Sequence, residues 1–343
     1  MFDPDAYPQR LSEWQLFTKN AEGLALSPHN HVYDLNVALF SDYAHKLRTL
    51  YVPPGAALTY QDYESYDAPV GTIISKTFFY NVDSQGQVNL AVEFSGDPEQ
   101  MGTHRLVETR LLIKQAHGWD ALPYIWREDD AYLKITGDLL NIPILATDES
   151  HKSMREELHY LVPSKNQCAS CHATNHTSAA IKPIGIKTRH LNKMHPVTGT
   201  NQLVAWVERG ELTGLPPLKQ LSANAALFNH ADLNHAARSY LDINCGHCHN
   251  PQGAADTSGL LLDYAEHDKR DLGTCKPPIA AGRGSGGHLY SIVPGKSSES
   301  IMAFRLATTD PGMMMPELGR SLIHHEGLAL VEKWIDAMTG ECT

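Results

Sequence analysis

A chain of 343 residues, 42% hydrophobic and 20% charged, has the make-up of an ordinary globular protein with room for two or three domains and a sizeable core. Its formal net charge of -11 argues against nucleic acid and anionic membrane surfaces as partners, and suits simple solubility or attraction to a basic protein. No run of about 18 apolar residues occurs, so no transmembrane segment is expected.

Residues 1–30 are mixed and polar and read as a lead-in, with a short helix between Leu11 and Phe17. After Asn36, the residues Val37, Leu39, Phe40, Tyr43 and Leu47 offer an apolar face that predicts a helix within 32–46, stopped by Pro53-Pro54-Gly55. From about residue 56 to 145 the period becomes that of strands. The β-branched and aromatic run 71–80 is followed by the turn signal Asp83-Ser84-Gln85-Gly86 and a second apolar run over 88–94. Another pair follows, 104–114 and 124–126, across Gly118-Trp119. The pattern predicts a twisted antiparallel sheet with one buried face, its aromatics serving the core.

Near Pro163 the composition shifts, and Ser164 or Asn166 can cap a helix that carries Cys168-Ala169-Ser170-Cys171-His172. The same C-x-x-C-H spacing returns at Cys245-Gly246-His247-Cys248-His249. On a helical turn, residues three and four apart share one face, so two thiols and one imidazole can meet a single porphyrin. The thiols add to its vinyl groups and the histidine ligates iron, which is the attachment pattern of haem c. A zinc site and a redox dithiol also use C-x-x-C. Residues 172–244 nevertheless separate the pairs by far more than a zinc ribbon does, and neither alternative asks for histidine directly after the second cysteine.

Two haems c are therefore expected, with Cys168, Cys171, Cys245 and Cys248 as thioether positions and His172 and His249 as proximal iron ligands. Between the motifs, the loop-like stretch 182–202 contains His190, Met194 and His195, and 203–209 predicts a short helix. An amphipathic helix over 229–244, with Leu233, Ala236, Ala237, Tyr240 and Leu241 at helical spacing, runs straight into Cys245. Leu328, Val331, Trp334, Ile335 and Met338 repeat that pattern near the end. Two helices bracketing a haem motif are how small cytochrome domains close their core.

The expected fold is thus α+β: a lead-in (1–30), a β-rich domain (31–160), a loop-rich first haem segment packed on it (161–225) and an α-helical cytochrome c-like domain (226–343). For the second iron, Met313-Met314-Met315-Pro316 is the expected source of the distal ligand, with Met315 favoured because C-x-x-C-H, a late Met-Pro and a final Trp-Ile helix occur together, and Pro316 would rigidify the loop. For the first iron, His190 is the candidate distal ligand, and the competing arrangement is an open position. Gly282-Arg283-Gly284-Ser285-Gly286-Gly287 fits a dinucleotide-loop pattern on paper but follows Pro277-Pro278 instead of a strand, so it reads as a loop in which Arg283 can pair with a propionate. Covalent haem implies attachment outside the cytoplasmic membrane, so a leader is expected to be missing from this numbering, and Cys275 and Cys342 are free to pair there.

Six stretches carry a resemblance: 39–44, 71–77, 108–112, Asn166-Gln167-Cys168, Thr188-Arg189-His190-Leu191-Asn192, and Met314-Met315-Pro316-Glu317-Leu318-Gly319-Arg320. Over nearly the whole chain they are similar to a family of bacterial diheme c-type proteins. The likeness implies an exported or lipid-anchored protein encoded beside a parallel β-helix protein. The first half, with 71–76, Gly118-Trp119 and a terminal C-x-x-C-H, also resembles hydroxylamine-oxidising cytochromes whose haem is crosslinked to a lysine. That likeness implies a sheet over a haem with an open distal side; Lys76 itself reads as a solvated strand lysine. The functional expectation is electron transfer to a redox partner in the periplasm. Its competitors are a haem oxidase or peroxidase with an open first iron, and a zinc-stabilised binding protein.

Overall fold

The computed structural model describes residues 7–343 apart from 91–93, 95, 148–152, 174–179, 196, 225–230 and 280, and apart from the side chains of 89, 145–147 and 153–156. It is a mixed α and β structure with a large antiparallel sheet and few helices. The chain divides into two units. The first comprises 1–35, 43–168 and 185–223, and the second 36–42, 169–184 and 224–343.

In the first unit the strands are β1 (Phe17–Lys19), β2 (Leu24–Leu26), β3 (Asn30–Tyr33), β4 (His45–Tyr51), β5 (Leu58–Thr59), β6 (Ile73–Asn81), β7 (Val88–Asn89), β8 (His104–Gln115), β9 (Gly118–Arg127), β10 (Asp130–Leu133), β11 (Asp138–Thr147), β12 (Ser153–Val162) and β13 (Leu212–Thr213). Six of them form one sheet in the order β10-β9-β8-β6-β4-β3, antiparallel throughout. The hairpin over Gly118 is present as expected, with Gln115 paired to Gly118. The strand after Asp83–Gly86 behaves differently. Of the expected run 88–94, residues 91–93 lie outside the described residues; among those described it turns back through a Val82–Val88 bridge and pairs in parallel with β11 at Val88 and Asn89, β6 having β4 and β8 on its two edges.

One face of the six-stranded sheet is the core. Leu47, Ile73, Leu111, Ile113, Leu122 and Tyr124 pack there against Leu11, Trp14, Leu16, Phe17 and Leu24. The stretch read as a lead-in is thus part of the core, and Leu11–Trp14 forms a single 3-10 turn. Several buried polar groups meet in pairs. Thr49 and Ser75 hydroxyls meet at 2.6 Å, Thr77 and Thr109 at 2.7 Å, and the Trp14 indole donates to the Tyr124 hydroxyl at 2.7 Å.

No helix forms within 32–46. Residues 36–42 leave the first unit, and Asp42 and Tyr43 adopt φ of 50° and 56°, a left-handed bend that ends any regular run. The bend aims the Asp42 carboxylate at the N–H groups of Ser321 (2.7 Å) and Leu322 (2.8 Å). Phe40 contributes an N–H to Asn244 Oδ1 at 2.8 Å and stacks on His324 with centroids 4.3 Å apart.

Still in the first unit, Glu211 accepts from His31 Nε2 (2.9 Å) and Arg209 Nε (2.8 Å). Burial on its own would raise the Glu211 carboxyl, but the His31 hydrogen bond and the Arg209 charge outweigh it and hold the group below its ordinary value. A depressed folded-state carboxyl contributes stability that is complete above the unfolded value and is lost as pH falls through the folded one. Thermal unfolding from pH 7 down to pH 3 is expected to show this acid loss, and Glu211→Gln to remove part of it while costing about 2 kcal/mol at neutral pH.

The second unit holds α4 (Leu233–Leu241), α5 (Ile301–Leu306) and α6 (His325–Asp336); the helices α1 (Lys165–His172), α2 (Thr188–Leu191) and α3 (Gln202–Glu208) precede them in the chain. The Asp232 carboxylate caps α4 by accepting from His235 N at 3.0 Å, so the helix begins later than its apolar pattern suggests. Ala236, Ala237, Tyr240 and Leu241 of α4 pack with Leu330, Val331, Trp334 and Ile335 of α6. The Trp334 indole locks the crossing by donating to Asn234 Oδ1 at 3.0 Å. Gly327 sits where a Cβ would strike the Tyr240 ring, which lets the helices approach. Cys275 and Cys342 are disulfide-bonded, with Cα atoms 5.2 Å apart.

Candidate cofactor and metal site

Helix α1 carries the first cysteine peptide. Ser164 is its cap: Ser164 Oγ accepts from Gln167 N at 3.3 Å, and Gln167 Oε1 accepts from Ser164 N at 2.9 Å. Cys168 N then bonds Ser164 O at 3.3 Å and Ala173 N bonds Ala169 O at 2.9 Å. This winds Cys168, Cys171 and His172 onto one helical turn. After it, the chain returns so that Lys182 N donates to His172 O at 2.9 Å, and His172 Nδ1 lies 2.8 Å from the Lys182 carbonyl.

The second peptide continues α4. The helix widens into a π turn over Asp242–Gly246, then Cys248 N and His249 N both bond Cys245 O, at 3.0 and 2.9 Å. Asn250 Nδ2 donates to Gly246 O at 2.8 Å, closing the turn from beyond. His249 O accepts from Leu262 N at 2.8 Å, and the ring is held by the Leu260 carbonyl and by Ser258 Oγ, 3.3 Å from Nδ1. Burial drives the His249 imidazole down to about 4, so it is neutral at pH 7. Burial, aided by Asp242, pushes the Cys245 thiol up to about 12.

Within the second unit Cys171, Cys248 and His247 bring two sulfurs and an imidazole nitrogen within 4.8 Å of one another. Among the described residues this is the one group of three or more His, Cys, Asp or Glu donors close enough to share a metal ion. Cys248 Sγ also donates to Ser170 O at 3.4 Å. The Cys248 thiol, with help from His247 and His172, pulls Cys171 down, and the neighbouring Cys171 sulfur together with burial drives Cys248 up.

Protein-family models, curated proteins and solved structures were compared with the chain, and none matches.

The loop with the three methionines is clamped by two arginines. Arg305 Nε donates to Met313 O at 2.9 Å, and Met315 N donates back to Arg305 O at 3.0 Å. Arg320, 7% exposed, spends its guanidinium on carbonyls alone: Met315 O (3.1 Å), Leu322 O (3.1 Å), Arg305 O (3.1 Å) and Thr308 O (2.9 Å). Met314 is buried, while Met313 and Met315 are half-buried. The charge of Arg305 acts on His249 and that of Glu317 on Cys248, so both flanks of this loop lie beside the second peptide.

His190 lies on α2 in the first unit, 2% exposed. Met194 is 58% exposed, a surface residue. His195 is buried, its Nδ1 facing the N–H groups of Val197 (3.3 Å) and Thr198 (3.4 Å), which makes Nδ1 the acceptor and leaves the proton on Nε2, a poor arrangement for iron. Arg283 pairs with Asp310 at 2.8 Å in a short 3-10 turn. Sequence reasoning missed His247, which reads as a spacer inside the motif, and Arg320, whose partners are all main-chain atoms.

Proposed function

We propose that this protein is a diheme c-type cytochrome that passes electrons outside the cytoplasmic membrane. The observation that carries this reading is the repetition of one arrangement. Two C-x-x-C-H peptides each sit on a helical turn with none of the four cysteines in a disulfide, and each histidine is held through its ring by a main-chain carbonyl. A histidine whose Nδ1 donates to a carbonyl presents Nε2 to iron, in a fixed orientation and with raised basicity. The remaining two cysteines form a disulfide, which supports an oxidising compartment such as the periplasm.

On this reading Cys168 and Cys171 hold one haem and Cys245 and Cys248 the other, with His172 and His249 as proximal ligands. Haem c supplies a one-electron iron couple. The chain supplies the rest. Ser164 and Asp232 fix the helices that would present the thiols, Leu260 and Lys182 hold the imidazoles, and Arg305 with Arg320 holds the loop from which Met315 would ligate the second iron. The pair of crossed helices α4 and α6 supports a cytochrome c-like second unit. His190 is assigned to the distal side of the first iron; an open position there is the haem-enzyme alternative. The resemblance to exported bacterial diheme proteins adds a redox partner protein, a lipid anchor in the precursor and a parallel β-helix neighbour.

A second reading rests on the Cys171, His247 and Cys248 group, two thiols and an imidazole with the chemistry of a zinc site. It leaves Cys168, His172, Cys245 and His249 without a role, and the haem reading uses all four. A pyridine haemochrome assay on protein matured in the periplasm is expected to give two haems c per chain. Stoichiometric zinc with no haem would sink the haem reading.

A further inference from the structure

The first unit holds a cavity of about 520 Å³ between the stretch 26–32 and α3 with the loop before it. That is the size of a site for a small organic molecule. Leu26, Val32, Ala205 and Trp206 give it apolar walls, and Tyr33, edge-on at 5.8 Å between centroids, fixes the Trp206 ring. Its lining residues all belong to the first unit, and none is part of a cysteine peptide.

Two polar side chains of the lining are incompletely paired. Asn30, 2% exposed, donates through Nδ2 to Leu16 O at 2.8 Å, but its Oδ1 accepts from no group among the described residues. His195, 7% exposed, takes the N–H groups of Val197 and Thr198 on Nδ1, so its proton is on Nε2, which has no acceptor among the described residues either. Burial holds this imidazole below its ordinary value and keeps it neutral at pH 7, a donor without a charge. A buried donor or acceptor without a partner is costly, and here one of each kind belongs to the wall of one cavity. A third lining group, the exposed Arg209, uses Nε on Glu211 at 2.8 Å, and Glu211 is shared with His31 Nε2 at 2.9 Å. A guanidinium has five N–H donors, so this pair orients it and leaves donors over.

We propose that this cavity binds an N-acylated apolar amino acid, free or as the carboxyl end of a peptide. The chemistry matches group by group. The amide carbonyl accepts from His195 Nε2, the amide N–H donates to Asn30 Oδ1, the carboxylate takes N–H groups of Arg209, and the apolar side chain packs on Leu26, Val32 and Trp206. Asn30 Oδ1 and His195 Nε2 are closed to bulk water, so the lining side chains shift slightly to pair them as the ligand seats. A plain hydrocarbon would leave both polar atoms unpaired, and an inorganic anion would leave the apolar walls wet. The site is independent of the haem reading.

The test is isothermal titration calorimetry of the full-length matured protein with N-acetyl-L-leucine, for which saturable one-to-one binding is expected. N-acetyl-L-leucine amide lacks the carboxylate, and N-acetyl-N-methyl-L-leucine lacks the N–H. Each should bind about tenfold more weakly, the loss expected for one charge-assisted or buried hydrogen bond. Ala205→Phe, which fills the cavity, should abolish binding, and Arg209→Gln should weaken binding of the acid but not of its amide. Melting followed by circular dichroism checks that both variants are folded, and the compound series on the wild-type chain needs no variant to fold. A pentapeptide ending in leucine identifies the source: binding points to peptide ends and rejection to free acylated amino acids, either result supporting the site. No saturable heat with N-acetyl-L-leucine would overturn the proposal. So would equal binding of all three leucine compounds, or undiminished binding in a folded Ala205→Phe. None of these readouts involves haem, so their failure leaves the haem reading untouched.

Discussion

Replacing Cys245 and Cys248 together with serine is expected to leave one haem c per chain, not none. Each peptide brings its own two thiols, its own histidine and its own supporting carbonyl, from Lys182 in one case and Leu260 in the other. Attachment at one therefore has no chemical need of the other. The measurement is pyridine haemochrome absorbance per chain, with the intact mass showing a single haem increment. The paired variant Cys168→Ser with Cys171→Ser should also retain one. Loss of both haems from either variant would mean that the peptides act as one site, which is what the contact between Cys171 and Cys248 would impose if a metal were the native occupant. His247→Ala separates these cases. It removes a donor from the Cys171, Cys248 and His247 group but touches none of the positions that the haem reading uses, so on that reading haem content is expected to stay at two.

Local chemistry was the legible part of this chain. The two cysteine peptides, the capping serine before the first, the turn at Gly118 and the apolar stripes of α4 and α6 depend on residues within about one or two turns of each other, and spacing encodes such relations directly. What failed depended on distant partners. The apolar spacing of Val37, Leu39, Phe40 and Tyr43 imitates a helix, yet these residues divide between two units, and Asp42 is committed to main-chain donors at Ser321 and Leu322. The strand after Gly86 has a readable turn but an unreadable partner, since nothing near Val88 announces that Ile144 lies beside it. The polar start hides a set of core residues, from Leu11 to Leu24, because their apolar neighbours come from strands a hundred positions away. At the site, the Met313–Met315 loop is visible as a motif. Its clamp is not: Arg320 binds carbonyls, and every residue has one.

The largest stability effect outside the haem peptides is expected from the disulfide. Cys275 and Cys342 are 67 positions apart, and closing a loop of that length restrains the unfolded chain by about 4 kcal/mol in the chain-entropy account. The bridge ties the chain's end to the segment before Ile292, whose main chain pairs with Cys275 N at 2.9 Å, and Ile292 is part of the core under α4 and α6. Between the two cysteines lie α5, the methionine loop and α6. Cys275→Ser with Cys342→Ser is therefore expected to destabilise the second unit while leaving the sheet of the first unaffected. Urea titration followed by the fluorescence of Trp334 against that of Trp14 and Trp126, using tryptophan-to-phenylalanine variants to isolate each, should show two transitions moving apart. On the haem reading, in which Met315 ligates the second iron, the bridge also encloses that residue's loop, so its loss should loosen Met315 before the unit unfolds. In the ferric protein, a methionine-to-iron charge-transfer band that fades at lower urea than the helical circular dichroism is the expected sign. Coincident loss of the two signals would show that the methionine loop is held by Arg305 and Arg320 alone, and that the disulfide acts only on the unfolded chain.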